Sequence, residues 1–122
     1  MLFFLSGMNK EKEVILENNA REYFNSGKED LTKKRYNSAV VLFFKCLIAL
    51  ADLYILKETG EVPSSHTNRF RTLQEKFPDA YNLVDNDFPF YQNSYVKLMT
   101  KELAEVIKDD AKVMAKKAEI KL

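Results

Sequence analysis

Glycine and proline are scarce in this chain, with three of each in 122 residues. Long stretches contain neither, so they are free to run as uninterrupted helices. Cysteine is reduced to Cys46, which excludes an internal disulfide. Its neighbours, FFKCLIAL, are apolar, so Cys46 reads as a buried thiol acting as a small hydrophobe. A nucleophilic role would need a basic partner that the sequence does not place. This usage suits a reducing, cytoplasmic setting. Histidine is reduced to His66, and one His with one Cys cannot supply a zinc donor set. There is no Gly-rich phosphate loop, no HExxH and no paired cysteine knuckle, so no metal or cofactor is expected.

Charge of one sign is also missing. Nineteen basic residues face eighteen acidic ones, a net charge of +1. That balance announces neither a nucleic-acid partner nor a membrane surface, although a local patch is compatible with it. Apolar runs are short. MLFFL is five residues without a basic leader, a poor signal peptide. VVLFF is broken on extension by Lys45 and Asp52, which excludes a normal membrane span. Met8 is a second candidate start, so residues 1–8 are expected to be an appendage to a single domain over 1–122.

What is present is helical periodicity. Over residues 10–33, Leu16, Ala20, Tyr23, Gly27 and Leu31 recur at steps of three and four, with Asn9 as the expected N-cap. Gly27 lies on that stripe and costs about 1 kcal/mol of helix propensity against Ala. Either another helix crosses closely there or the helix breaks. KKRY reads as a polar corner. Residues 37–57 then carry a wide apolar arc of Val40, Phe43, Phe44, Leu47, Leu50, Ala51, Tyr54 and Ile55. Its width predicts a central helix touching more than one neighbour. Gly60 and Pro63 end it.

Ser64 or Ser65 can cap a third helix bearing Phe70, Leu73 and Phe77, which Pro78 terminates. Beyond it, Ala80, Leu83 and Val84 suggest a turn or two. Asp87 with Pro89 suggests a new start carrying Phe90, Ser94 and Leu98. Thr100 opens the last helix, with Leu103, Val106, Ile107, Ala111, Met114 and Ala118 on one face. The sum is an all-α, antiparallel up-and-down bundle of four main helices plus a short middle helix.

Few residues invite a chemical role. His66 sits at a helix start and titrates near working pH, which makes it the one candidate catalytic group. Nothing beside it in the sequence completes a relay, so a binding or surface role is the plainer reading. Arg69 and Arg71 are two positions apart and point different ways, so they are not automatically one phosphate clamp. Arg69 lies near free helix N–H groups that can favour an anion; solvated arginines are the plainer reading. Asp52 falls within IALADLYIL, seven residues after Lys45 and on much the same helix side. A carboxylate there needs a partner, and Arg69, His66 or a second subunit could supply one. Tyr54, Tyr91 and Tyr95 offer amphipathic contact area for an interface.

Three stretches, taken in order, resemble the HEPN superfamily, especially its small prokaryotic members. AREYFNSGKEDLTKKRYNSAVVLFFKCLIALADLYILKETG, residues 20–60, is similar to the long first hairpin of that superfamily. SSHTNRFRTLQEKF is similar to its Ser-His turn before a short helix with a Phe. YVKLMTKELAEVIKDDAKVM, residues 95–114, looks like its Thr/Ser-capped last helix. The resemblance spans residues 12–118 and implies a helical bundle, usually dimeric. Some members are metal-independent ribonucleases of toxin or defence type; others are noncatalytic and accompany a small nucleotidyltransferase. The ribonucleases carry an Arg-x4-6-His motif near the start of a late helix. Here Thr59, Gly60 and Glu61 stand where the Arg would precede His66, and neither Arg nor His occurs between residues 72 and 122. The expectation is therefore a noncatalytic interaction module, a homodimer, with a small nucleotidyltransferase as the implied partner. A divergent endoribonuclease acting on RNA is the alternative. A nucleotide-binding protein without catalysis, its anion site built from Arg69, Arg71 and a helix terminus, is the third reading. Across these readings the candidate binding residues are His66, Arg69, Arg71, Asp52 and Tyr54.

Overall fold

A computed structural model describes residues 2–122, with side chains from Asn9 onward. The expected appendage over residues 1–8 falls largely outside the described side chains. Five helices follow one another: α1 (Leu2–Thr32), α2 (Tyr36–Thr59), α3 (His66–Lys76), α4 (Pro78–Asn93) and α5 (Lys101–Lys117). The short α3 sits amid four longer helices, and no strand occurs among the described residues.

The first hairpin follows from its corner. Lys34 takes a left-handed backbone, φ 61°, and the Arg35 N–H donates to the Asp30 carbonyl at 2.8 Å. The Asp30 carboxylate is buried and accepts from Arg35 Nε at 2.8 Å and from the Ser38 hydroxyl. That local network turns the chain back on itself, so α1 and α2 run antiparallel. Gly27 lies against Phe43. A methyl group at Gly27 would fall 2.7 Å from Phe43 Cε1, so the glycine marks a close helix crossing and α1 runs through it unbroken. The expected N-cap at Asn9 is corrected: α1 begins at Leu2, and Asn9 lies within it near Gly60.

Alone among the helices, α2 touches every other one. Ala39, Val40, Phe43, Leu47, Leu50 and Ala51 are fully buried along it. Gly60 stops it with φ 81°, its N–H donating to the Leu56 carbonyl at 2.8 Å. By length and apolarity α2 would pass for a membrane span despite Lys45 and Asp52, contrary to expectation. Yet 72% of its most apolar window is buried inside the bundle, as in the core helix of a domain.

Side-chain contacts fix the directions of the rest. Phe77 meets Tyr54, Tyr91 meets Phe44, and Asn37 binds the Ser94 carbonyl at 2.7 Å, so α4 runs antiparallel to α2. Asn37 Oδ1 accepts from the Met99 N–H at 2.9 Å, and Lys57 Nζ donates to the Ala118 carbonyl at 2.6 Å. The helices α2 and α5 are therefore parallel, the two members of one diagonal of an up-and-down bundle. They pack closely because α5 presents Ala104, Ala111 and Ala115, all buried, beside Ile107 and Met114. The other diagonal stays open: among the described residues the backbones of α1 and α4 do not come close.

Two sequence expectations change here. Residues 78–93 form one helix, not a turn followed by a new start at Asp87. Pro78 opens it, and Pro89 is carried inside. Pro89 and Asp85, whose carbonyl loses its helical partner, are both exposed, so the freed carbonyl lies on the solvent side of the helix. Leu98 lies in the following turn, 92% exposed, and Ser94 caps α4. On α5, Val106 is half exposed and Ala104 takes its place in the core.

Candidate functional site

The open diagonal leaves a groove of about 290 Å³ over the outward side of α2. Leu16, Asn19 and Tyr23 of α1 form one wall and Tyr91 of α4 the other. Phe44, Lys45, Ile48, Ala49 and Asp52 form the floor, and His66 closes one end. The lining is mainly apolar; its charged and amide members are Asn19 on the α1 wall, Lys45 and Asp52 on the floor and His66 at the end. Tyr91 is held by its ring, 4.7 Å from that of Phe44, and by its hydroxyl, 3.0 Å from Tyr95 Oη. The Tyr95 hydrogen bond, and then burial, push the Tyr91 phenol above its ordinary value.

The polar end of the groove is built by the start of α3. Ser65 Oγ accepts from the Asn68 N–H at 3.1 Å, and Asn68 Oδ1 accepts from the Ser64 N–H at 3.1 Å. This reciprocal cap fixes the first turn. It aims Arg69 at Asp52. Arg69 Nε donates to Asp52 Oδ1 at 2.6 Å and Nη2 donates to Oδ2 at 2.9 Å, both side chains being about nine-tenths buried. The fork-on-fork geometry suits guanidinium and carboxylate alone. Arg69 Nη1 then donates to His66 Nδ1 at 2.7 Å. A guanidinium has no acceptor, so Nδ1 must accept and the ring hydrogen sits on Nε2.

This arrangement tells what the cluster can do. Both Asp52 oxygens are engaged, so Asp52 is not a free base. Arg69 is paired with it and about nine-tenths buried, which corrects its reading as a solvated arginine. His66 Nε2–H is the one ring position left to meet a ligand. Among the described residues, no group of three or more His, Cys, Asp or Glu side chains is placed to hold a metal ion.

The remaining sequence candidates do not join the cluster. Arg71 is exposed and faces a second, open groove with Thr67, Phe70, Gln74, Glu75 and Phe88. His66 stands on the ridge between the two grooves. Tyr54 is half-buried and packs on Phe77, ring centroids 5.0 Å apart. Cys46 is buried, and desolvation pushes its thiol up to about 12, as its apolar neighbours foretold.

Sequence reasoning missed Leu16, Tyr23, Phe44 and Ile48 as groove residues. The wide arc of α2 signalled several neighbours, but periodicity does not tell which strip of the arc is left uncovered. Asp87 was also missed. It is 1% exposed, one carboxyl oxygen has no hydrogen-bond partner, and the neighbouring ionisable side chain is Asp110 of α5. Comparison with protein-family models, curated proteins and solved structures finds no match to this chain.

Proposed function

We propose that this chain is a noncatalytic helical interaction module of HEPN-like type that works as a homodimer through the groove between α1 and α4. The observation that carries the reading is the strip of α2 left uncovered there, with Phe44, Ile48 and Ala49 in its floor and Leu16, Tyr23 and Tyr91 in its walls. Ile15, 58% exposed, stands one turn before Asn19 on the same side of α1, and Tyr95, 67% exposed, extends the opposite wall. Exposed aliphatic and aromatic groups beside a preformed groove are the usual makings of an interface core. The engagement of Asp52 by Arg69 supports the noncatalytic part of the reading, because it leaves His66 without a carboxylate to orient it. A small nucleotidyltransferase is the further partner that the superfamily resemblance implies.

Light scattering across the micromolar range tests the dimer. Twice the chain mass is expected for the natural sequence. Ile15→Glu, an exposed position, is expected to weaken association at least tenfold while leaving the helical circular dichroism intact. A monomer at every concentration overturns the proposal. Cleavage of single-stranded RNA in chelator, lost in His66→Ala, would replace it with the ribonuclease reading.

A further inference from the structure

Among the described residues, Asp87 is the one with a buried side-chain oxygen that has no hydrogen-bond partner. It sits in α4 between Val84 and Tyr91, on the side turned inward, and is 1% exposed. One carboxyl oxygen has no partner among the described residues. The neighbouring ionisable side chain is Asp110 of α5, which is half-buried. Two carboxyl groups can share a hydrogen bond when one of them holds a proton; when both are ionised they repel. No lysine or arginine occurs in α4. From α2 the residue turned to α4 is Phe44, against Phe88 and Tyr91; Lys45 is exposed and Asp52 is matched to Arg69. From α3 it is Phe70, against Phe88, while Arg71 faces outward. On α5, Lys108 is half-buried and Asp109 exposed, and the charged group acting on Asp87 is Asp110. On α4 itself, Asp79 and Asp85 are exposed.

We propose that the Asp87–Asp110 carboxyl pair is a proton-dependent latch that holds α4, and the aromatic wall it carries, against α5. With one proton between them, the two carboxyls form a hydrogen bond across the α4–α5 contact. Loss of that proton leaves a buried carboxylate at Asp87 beside the half-buried carboxylate of Asp110, and α4 loosens. Tyr91 and Phe88 move with α4, so the groove over α2 changes shape in the same event. The proton is lost in a useful range: desolvation first, then Asp110, raises Asp87 to about 8. The latch is closed at neutral pH and released in mild alkali.

The full chain tests this by amide hydrogen exchange combined with carboxyl-carbon NMR from pH 6 to 9.5. Protection factors over Val84–Tyr91, corrected for the intrinsic rate, are expected to fall at least tenfold across that interval. Those of the α1–α2 hairpin are expected to hold. The Asp87 carboxyl carbon should titrate in the same interval. In Asp87→Asn the amide replaces the shared proton, and the protection of α4 should no longer depend on pH. Asp110→Asn asks the same question from the other helix, should the first variant fail to fold. An Asp87 that titrates near pH 4, or an equal alkaline loss of protection in a folded Asn variant, overturns the proposal.

Discussion

Arg69 has a structural task that its neighbours do not share. Its guanidinium satisfies both oxygens of a carboxylate that α2 has carried into the protein, and the remaining Nη1 contact merely orients His66. Breaking a largely buried pair from one side leaves the other charge uncompensated. Arg69→Ala is therefore expected to lose about 3–5 kcal/mol of stability. His66→Ala removes one exposed contact and is expected to lose about 0–1 kcal/mol. Urea melts of the two variants check the order. A His66→Ala loss as large as that of Arg69→Ala would mean that the imidazole belongs to a buried network. Gly27 makes an opposite point. Helix propensity alone says that Ala should stabilise α1 by about 1 kcal/mol. The Phe43 ring in the way is fully buried and also packs on Phe24, so it has nowhere to go. Gly27→Ala is expected to destabilise by about 1–3 kcal/mol, read by the same melts.

The short helix α3 is held at two points, the ion pair at its start and an apolar face along its length. Sequence periodicity assigns that face to Phe70, Leu73 and Phe77 together. In the structure they are unequal: Leu73 is fully buried, while Phe70 and Phe77 are only partly covered. Leu73→Ala is expected to lose about 2–5 kcal/mol, and Phe70→Ala less than the 3–5 kcal/mol of a fully buried ring. Thermal melts of the two variants decide between a shared anchor and one centred on Leu73. Sequence reasoning found the elements through their punctuation: Ser65, Gly60, Pro78 and Thr100 cap or stop helices as read. It misplaced Pro89 because a proline inside a helix looks like a start. Whether such a proline breaks the helix depends on which side faces water, and one-dimensional sequence does not carry that.

For the whole molecule, the arrangement of diagonals is what matters. Alanines on α5 let it approach α2, and that approach leaves α1 and α4 apart. The groove, its proposed use as a dimer face and the wall carried by α4 all descend from this one asymmetry. The Asp87–Asp110 pair acts at the same scale through linkage. Unfolded, an Asp releases its proton near pH 3.8; folded, Asp87 keeps it to about 8. Between those values the native state holds a proton that the unfolded chain has lost. The stability from Asp87 is thus complete at acid pH, declines as pH rises from about 4, and is gone above about 8. That slope is the global counterpart of the local release tested by hydrogen exchange.

The all-α class, five helices in order, the central place of α2 and the inert thiol were each written in the chain itself. Spacing at three and four residues and the caps that end each run are local properties, and local properties survive without knowledge of the neighbours. Which arc of α2 stays open, that Asp52 finds Arg69, and that Asp87 is carried inward to meet Asp110 were decided only in three dimensions. Those contacts join residues 17 and 23 positions apart on different helices. They depend on how closely two helix axes approach, a quantity set by the summed volumes of side chains from several elements at once.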